Sequence, residues 1–139
     1  MAPALTTDCA IFDGAGRVLL IRRKNPPFKG AYALPGGFVE LDESVDAACR
    51  REVLEEVGIE LGDLRLVGVY SDPGRDPRGH TVSVAFSTVL TRAPTPQAGS
   101  DAEAAEWVAD WRKLALAFDH AKILEDAEGF ATRSQAGEG

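Results

Sequence analysis

Residues Gly36–Glu60 read GGFVELDESVDAACRREVLEEVGIE, and the second half of this stretch predicts an amphipathic helix. The helix is expected over Ser44–Val57, between a residue type that starts helices and a glycine that ends them. Because successive residues turn by about 100° around a helix axis, Glu52, Glu55 and Glu56 fall within an arc of roughly 100°. One face of the helix is therefore predicted to be acidic.

The acidic face lacks the basic partners that a solvated helix surface usually carries. Neither Glu52 nor Glu56 has a lysine or arginine three or four residues away. Glu55 has Arg51 alone, and like charges at this spacing destabilise an exposed helix by about 0.2–0.5 kcal/mol per pair. A hard divalent cation would supply the missing counter-charge, because Mg²⁺ prefers carboxylate oxygens and often links them to substrate phosphates. A carbonyl of the turn Gly36–Gly37 could add one more oxygen ligand.

The same stretch resembles a complete Nudix box, the signature of hydrolases that cleave nucleoside diphosphates linked to another moiety. All seven fixed residues and both aliphatic positions of the signature are present within Gly37–Ile59. At average residue usage, seven such matches coincide at a given start on the order of 10⁻⁸ of the time. The resemblance implies that Glu52 and Glu56 are the main metal ligands, and that Glu55 is a further ligand or a base.

The other residues of the box have supporting roles in this resemblance. Arg51 would orient the glutamates by pairing with Glu43 or Glu55, while Gly37 and Gly58 would be structural. The implied cofactor is Mg²⁺, with Mn²⁺ as a substitute. The implied reaction is the attack of water on one phosphorus of a pyrophosphate, in which bound metal ions generate hydroxide and neutralise oxygens.

The rest of the chain predicts strands followed by helices, which indicates an α/β (α+β) fold. Apolar alternation and turn residues predict strands at Thr6–Phe12, Arg17–Arg23, Ala31–Leu34, Leu64–Tyr70, Thr81–Val89 and Ala105–Val108. A terminal helix is expected over Asp119–Phe130, with Ile123, Leu124 and Ala127 facing inward. The resemblance implies an α/β/α sandwich with a mixed sheet between the helices.

The composition of the 139 residues indicates a single globular domain spanning residues 1–139, with a flexible tail at residues 132–139. The net charge of −7 argues against nucleic acid or an anionic membrane as a partner.

Two cysteines, Cys9 and Cys49, are too few for a disulfide framework, so both are expected to pack inside a cytoplasmic protein. No apolar run predicts a membrane span or a signal peptide.

The general base of the implied reaction can lie outside the box, since some members of the family use a glutamate from a later loop. Asp101, Glu103 and Glu106 are the acidic candidates just before Trp107. Each is also compatible with a solvated surface position. We take Glu103 as the predicted base.

Several residues outside the box are candidates for binding the substrate. Arg22 and Arg23 end the second strand, and because side chains alternate along a strand, one of them is expected to bind a phosphate. Phe28 could stack on a base, with packing in the core as the alternative. His80 and His120 lack the neighbours of a metal site and are expected at hydrogen-bonded or surface positions.

A polar loop at Ser71–His80 bears on the substrate. Together with the stretch Phe118–Leu124, this loop resembles the ADP-ribose pyrophosphatase group, whose products would be AMP and ribose 5-phosphate. Arg75 or Arg78 is expected to hold a phosphate or the distal ribose. The alternatives are a MutT-type enzyme that releases pyrophosphate from nucleoside triphosphates and a non-catalytic regulator, which the intact box disfavours. The expected partner is a small-molecule nucleotide, and a homodimer stays open.

Overall fold

The chain forms a β-sheet with an α-helix on each face in the computed structural model, which describes the backbone of residues 2–138 and the side chains of residues 2–129. The strands are β1 (Ala4–Asp13), β2 (Val18–Arg23), β3 (Tyr32–Ala33), β4 (Gly36–Phe38), β5 (Arg65–Tyr70), β6 (Thr81–Leu90) and β7 (Ala102–Val108). The helices are α1 (Val45–Val57) and α2 (His120–Glu138), with a 3₁₀ turn at Trp111–Lys113. Neither helix is long and apolar enough, over the described residues, to cross a membrane.

Strand β1 lies at the centre of the sheet, whose order is β3-β2-β1-β6-β5, with β4 beside β1 and β7 beside β2. It runs parallel to β6 over its whole length, from the pair Ala4–Thr81 to the pair Asp13–Leu90. On the opposite edge, β1 pairs antiparallel with β4 over its first half and with β2 near its end. The sheet is therefore mixed, as expected.

Alternating side chains of β1 enter two separate cores, because successive residues of a strand point to opposite faces. Cys9 and Ile11 belong to the core under α1, whereas Ala10 and Phe12 belong to the core under α2. The helical side chains that close these cores are buried: Ala48, Cys49, Val53 and Val57 from α1, and Ile123, Leu124 and Ala127 from α2. The predicted sandwich is confirmed, and so is the inward face of the terminal helix.

The main differences from the sequence expectation concern the last strand, strand β4 and the terminal helix, which runs to Glu138 rather than to Phe130. The last strand begins at Ala102 rather than Ala105, because its pairing with β2 continues beyond the aliphatic pattern as far as Arg23. Strand β4 has no local signal, since a short glycine-rich segment becomes a strand only through its pairing with β1. The flexible tail at residues 132–139 stays a prediction: the backbone of α2 is helical to Glu138, and the side chains from residue 130 onward lie outside the described part.

The two cysteines are packing residues, as expected. Cys9 and Cys49 are free, buried thiols in the core beneath α1. The hydrogen bond with Cys49, together with burial, raises the pKa of the Cys9 thiol well above its usual range. Since the thiolate is the nucleophile, Cys9 is held in an unreactive form.

Candidate active site

Helix α1 packs on the sheet with a side that also carries two carboxylates, and both of these line a cavity. The helix begins after Ser44, whose side chain accepts the N–H of Ala47 at 3.3 Å, and ends at Gly58 in the left-handed conformation with φ 73°. Both ends lie where the sequence predicted them. Glu52 and Glu56 lie beside the buried residues on the same side of the helix, where Glu56 contacts strand β4 and both carboxylates line the cavity.

The Gly36-Gly37 turn approaches α1 more closely than any other residue type allows. The N–H of Gly36 donates to Oε2 of Glu56 at 2.9 Å. A β-carbon on Gly36 would lie 2.1 Å from the carbonyl oxygen of Thr7, and one on Gly37 would lie 2.5 Å from the carboxylate carbon of Glu52. Glycine, which has no β-carbon, is therefore required at Gly36, where the neighbour is backbone, whereas a β-carbon at Gly37 would displace the carboxylate of Glu52.

Arg51 joins three glutamates. Its Nε and Nη2 donate to the two carboxylate oxygens of Glu43 at 2.7 and 3.0 Å, and its Nη1 donates to Glu52 at 2.9 Å and to Glu55 at 3.2 Å. The hydrogen bonds to Glu43 and Glu52 raise the pKa of Arg51 above its ordinary value. The expected pairing with Glu43 or Glu55 is present with both. The expectation that Glu52 has no basic partner is wrong, because the long arginine side chain bends back to its neighbour in sequence.

Among Glu52, Glu55 and Glu56, Glu56 is the carboxylate whose negative charge is least compensated. It forms no ion pair among the described residues, and its one hydrogen bond comes from Gly36. Burial raises the pKa of Glu56 to about 8 against that hydrogen bond, and the nearby charges of Glu52, Asp8 and Asp101 contribute in the same direction. Without a counter-ion, Glu56 is therefore largely protonated at neutral pH.

Glu52 and Glu56 fit a divalent cation as two members of a larger ligand set. Burial also raises the pKa of Glu52, although Arg51 opposes the shift. Raised pKa values in neighbouring carboxylates indicate negative charge that a cation would stabilise. Within residues 2–129 no three His, Cys, Asp or Glu side chains form a complete metal site, but Mg²⁺ commonly takes one or two carboxylates and fills its shell with water and phosphate. Ligation by Gly36 stays a prediction.

Alternation along β2 places Arg23 rather than Arg22 at the cavity. Arg23 lines it, whereas the Cζ of Arg22 lies 5.5 Å from the ring centroid of Tyr32, outside the cavity lining. Of the two neighbouring arginines, Arg23 is thus the one at the cavity, and its binding of a phosphate stays a prediction.

Phe28, a candidate for stacking on a base, is half-exposed and packs edge-on against Phe118 with ring centroids 4.9 Å apart.

The loop between β5 and β6 supplies two arginines with different surroundings. The side chain of Arg75 is 5% exposed, and two of its nitrogens bind Asp119 at 2.7 and 2.9 Å. The side chain of Arg78 is 48% exposed, with Nη2 at 2.8 Å from Asp76. Both residues line the cavity. Because the guanidinium of Arg75 is buried and bound to Asp119, whereas that of Arg78 is half-exposed, Arg78 is the better placed to bind a ligand.

The acidic residue that reaches the cavity from the β7 side is Asp101. The loop before β7 is drawn onto the end of α1, where the N–H of Gly99 donates to the carbonyl of Glu56 at 2.7 Å. This contact brings Asp101 into the cavity lining. Glu103, the predicted base, is exposed on β7 and lies outside that lining. Its role stays a prediction, and the geometry favours Asp101.

A buried network beside the cavity was missed by the sequence reasoning. Asp8 accepts the hydroxyl of Ser83 at 2.5 Å and lies 3.3 Å from Nε2 of His120. Nδ1 of His120 accepts the N–H of Leu34 at 3.0 Å, which assigns the imidazole proton to Nε2, facing Asp8. Burial alone would raise the pKa of Asp8, but His120 and Ser83 hold it below its ordinary value. The hydrogen-bonded position of His120 is confirmed, and the sequence signal for Asp8 was a charged residue inside an apolar strand.

Known proteins resemble this chain over most of its length. A family model described as the NUDIX domain matches residues 2–127. The chain is 48% identical over 125 residues to a protein named ADP-ribose pyrophosphatase from Methanocaldococcus jannaschii, an alignment that covers 89% of this chain and 72% of that protein. It is 39% identical over 133 residues to the ADPR responsive transcriptional repressor NtrR of Acinetobacter baylyi, covering 91% of this chain and 53%, about half, of that protein.

A solved structure gives the same architecture. The NUDIX domain of Shewanella oneidensis NrtR, complexed with ADP ribose, matches with a TM-score of 0.88 and 29% identity. The match covers 94% of this chain and 90% of that one. The similarity thus extends over the sheet and the cavity as well as the acidic helix.

Replacing Glu56 by glutamine should stabilise the metal-free protein in a pH-dependent way. Folding raises the pKa of Glu56 from 4.5 to about 8, so stability that is present below about pH 4.5 is lost as the pH rises toward 8. Glutamine keeps an acceptor for the N–H of Gly36 and does not ionise. In EDTA, Glu56→Gln should match wild type near pH 5 and exceed its free energy of unfolding by about 1–3 kcal/mol near pH 8.5. Denaturant unfolding measures this, with exposed Glu60→Gln as the control for charge removal.

Millimolar Mg²⁺ should reverse that order, because a ligand that binds only the folded state stabilises it and the variant binds the ion poorly. Hydrolysis by Glu56→Gln should fall by orders of magnitude. A variant that is clearly less stable than wild type in EDTA would reveal a structural partner of Glu56. Full activity would remove Glu56 from the metal site.

Proposed function

Since the chain belongs to the Nudix hydrolase family and therefore acts on nucleoside diphosphate derivatives, we propose that its substrate is ADP-ribose, cleaved to AMP and ribose 5-phosphate. The name of the Methanocaldococcus jannaschii relative supports this choice. The NUDIX domain solved with ADP ribose supports it independently, because that fold holds the same ligand.

One observation carries the proposal: a single cavity of about 400 Å³ contains both carboxylates and guanidinium groups. Glu52 and Glu56 come from α1, whereas Arg23 and Arg78 come from β2 and the loop before β6. A diphosphate suits both groups, since a metal ion links its oxygens to carboxylates while arginine binds phosphate directly. The volume lies within the range of about 300–1,000 Å³ found for small-molecule sites.

The proposed cofactor is Mg²⁺, with Mn²⁺ as a substitute. When bound, the ion would lower the pKa of water and polarise phosphoryl oxygens. Glu52 and Glu56 would hold it, with Arg51 fixing the orientation of the first and the N–H of Gly36 that of the second. Asp101, at the cavity, would accept the proton of the attacking water.

Two other functions remain distinguishable by experiment. A MutT-type enzyme would prefer a nucleoside triphosphate. A ligand-binding regulator is favoured by the similarity to the NtrR repressor and to the ADP-ribose-bound NUDIX domain, and it would bind ADP-ribose without cleaving it. The acidic face of α1 argues for hydrolysis, because binding an anion alone gains nothing from carboxylates. The absence of a nucleic-acid partner and the formation of a homodimer stay predictions.

We expect ADP-ribose to be cleaved with a higher kcat/KM than any deoxynucleoside triphosphate, because the cavity places Arg23 and Arg78 close to the carboxylates, which suits a diphosphate. A hydrolysis panel with Mg²⁺ measures this for ADP-ribose, NADH, diadenosine polyphosphates, nucleotide sugars and 8-oxo-dGTP, with the products identified. A higher kcat/KM for a triphosphate would overturn the substrate and leave the hydrolase assignment intact.

Asp101→Asn should lower kcat by about 10²–10⁴-fold, the usual contribution of a general base, with little change in KM. Glu103→Gln removes a carboxylate two residues later, on β7 and outside the cavity lining, and is the matched control, expected to leave kcat nearly unchanged. The opposite result would restore Glu103 as the base. If both variants keep full activity, Glu55 on α1 and Glu106 on β7 are the remaining candidates for the proton acceptor.

Arg78→Ala should raise KM more than it lowers kcat, as the loss of uniform substrate binding does. Arg75→Ala should instead destabilise the protein by about 1–3 kcal/mol, because it leaves the partly exposed Asp119 without its partner. Steady-state kinetics beside denaturant unfolding separate the two effects. An unchanged KM in Arg78→Ala, with normal unfolding, would show that Arg78 does not contact the substrate.

A further inference from the structure

Phe118 lies between two arginines of the cavity. Its ring centroid is 4.9 Å from the Cζ of Arg23 and 5.7 Å from the Cζ of Arg78. Both distances fall within the range of about 6 Å over which the face of an aromatic ring attracts a guanidinium group. One neutral side chain therefore gathers two positive charges at the same place.

The two guanidinium groups repel each other. Burial and the charge of Arg78 lower the pKa of Arg23 from its ordinary value. Arg78 is paired with Asp76 at 2.8 Å, whereas Arg23 has no ion pair among the described residues and donates to the carbonyl of Pro27 at 2.7 Å. Two cations and one carboxylate leave a local excess of positive charge at this end of the cavity, whereas acidic residues outnumber arginines in the lining as a whole. An anionic ligand therefore matches the arginine end.

The ring of Phe118 is held by its surroundings at a conformational cost. The residue has φ 53°, in the left-handed region, which a bulky side chain rarely adopts and which costs about 1–3 kcal/mol. The ring of Phe28 packs against it at 4.9 Å and that of His120 at 5.3 Å. Such strain persists only where neighbouring contacts fix the residue, and here it fixes the ring beside both arginines.

We propose that Phe118 is a positioning residue for the substrate's diphosphate, because its ring holds the guanidinium groups of Arg23 and Arg78 close enough to bind both phosphates together. The inference rests on the proposed function, which takes the anion of this site to be a diphosphate. A single phosphate occupies one guanidinium group and depends less on the ring. A ring that stacked on the nucleobase would instead act on the nucleoside half of the substrate.

The kinetic test compares a variant that loses the ring with one that keeps it. Phe118→Leu should raise KM for ADP-ribose about tenfold, equivalent to ~1.4 kcal/mol, with little change in kcat. Phe118→Tyr keeps the ring and should retain the wild-type KM. Phe86→Leu makes the same chemical change in the core, away from the cavity lining, and should lower the melting temperature without changing KM. A wild-type KM in folded Phe118→Leu, or a tenfold increase in Phe118→Tyr, overturns the proposal.

A double-mutant cycle tests whether Phe118 acts through Arg78. In the Arg78→Ala background, Phe118→Leu should raise KM by a smaller factor than in wild type, because one of the two guanidinium groups that the ring positions is already gone. Equal factors in both backgrounds would mean that the ring acts independently of Arg78 and would overturn the proposal.

Calorimetry in EDTA provides a readout that does not depend on hydrolysis. Wild type should bind inorganic pyrophosphate through the arginines, and Phe118→Leu should bind it several-fold more weakly, with adenosine binding unchanged. Absence of pyrophosphate binding by wild type, or a loss confined to adenosine, overturns the proposal. If pyrophosphate binding depends on Phe118 but ADP-ribose is not cleaved, the proposed function fails alone. If ADP-ribose is cleaved but Phe118→Leu binds pyrophosphate as tightly as wild type, the positioning role of Phe118 is overturned and the proposed function is retained.

Discussion

The hydrogen bond from Gly36 to Glu56 is the contact on which the arrangement of the site depends. It joins β4 to α1, and the pairing of Gly36 with Asp8 joins β4 to the central strand. Both contacts require glycine, since a β-carbon would lie 2.1 Å from the carbonyl oxygen of Thr7. Any larger residue would separate β4 from β1 and withdraw the N–H from the carboxylate. Sheet, turn and acidic helix therefore behave as one unit.

Positive groups neutralise the glutamates of the acidic face to different extents, and this difference suits the binding of a metal ion. Arg51 neutralises part of the charge of Glu52 and is itself fixed by Glu43, so the helix can fold without a cation. Glu56 has no such partner among the described residues, and its burial raises its pKa to about 8. A fully neutralised face would have no use for a cation, whereas a fully unbalanced one would destabilise the helix. The uncompensated charge is that of Glu56, which lines the cavity beside the partly neutralised Glu52.

Local signals predicted the helix well, whereas the rest of the site depended on contacts between distant residues. The ends of α1 follow from Ser44 and Gly58, which act through backbone groups within a few residues of themselves. Asp8 and His120 meet only because α2 returns to the sheet beside β1. The positions of the two residues in the sequence do not predict this contact. Asp101 enters the cavity because its loop is bonded to the end of α1, a contact that residue types alone do not reveal.

The segment that precedes and begins α2 links both halves of the cavity. Phe118 contacts the arginines, Asp119 binds Arg75, and His120 accepts the N–H of Leu34, which leads directly into the glycine turn. The left-handed backbone at Phe118 lets consecutive side chains reach these separate places. A diphosphate that engages arginines and carboxylates together therefore bridges two groups already connected through α2. Since a ligand that binds only the folded state stabilises it, such a substrate should also strengthen the docking of α2 on the sheet.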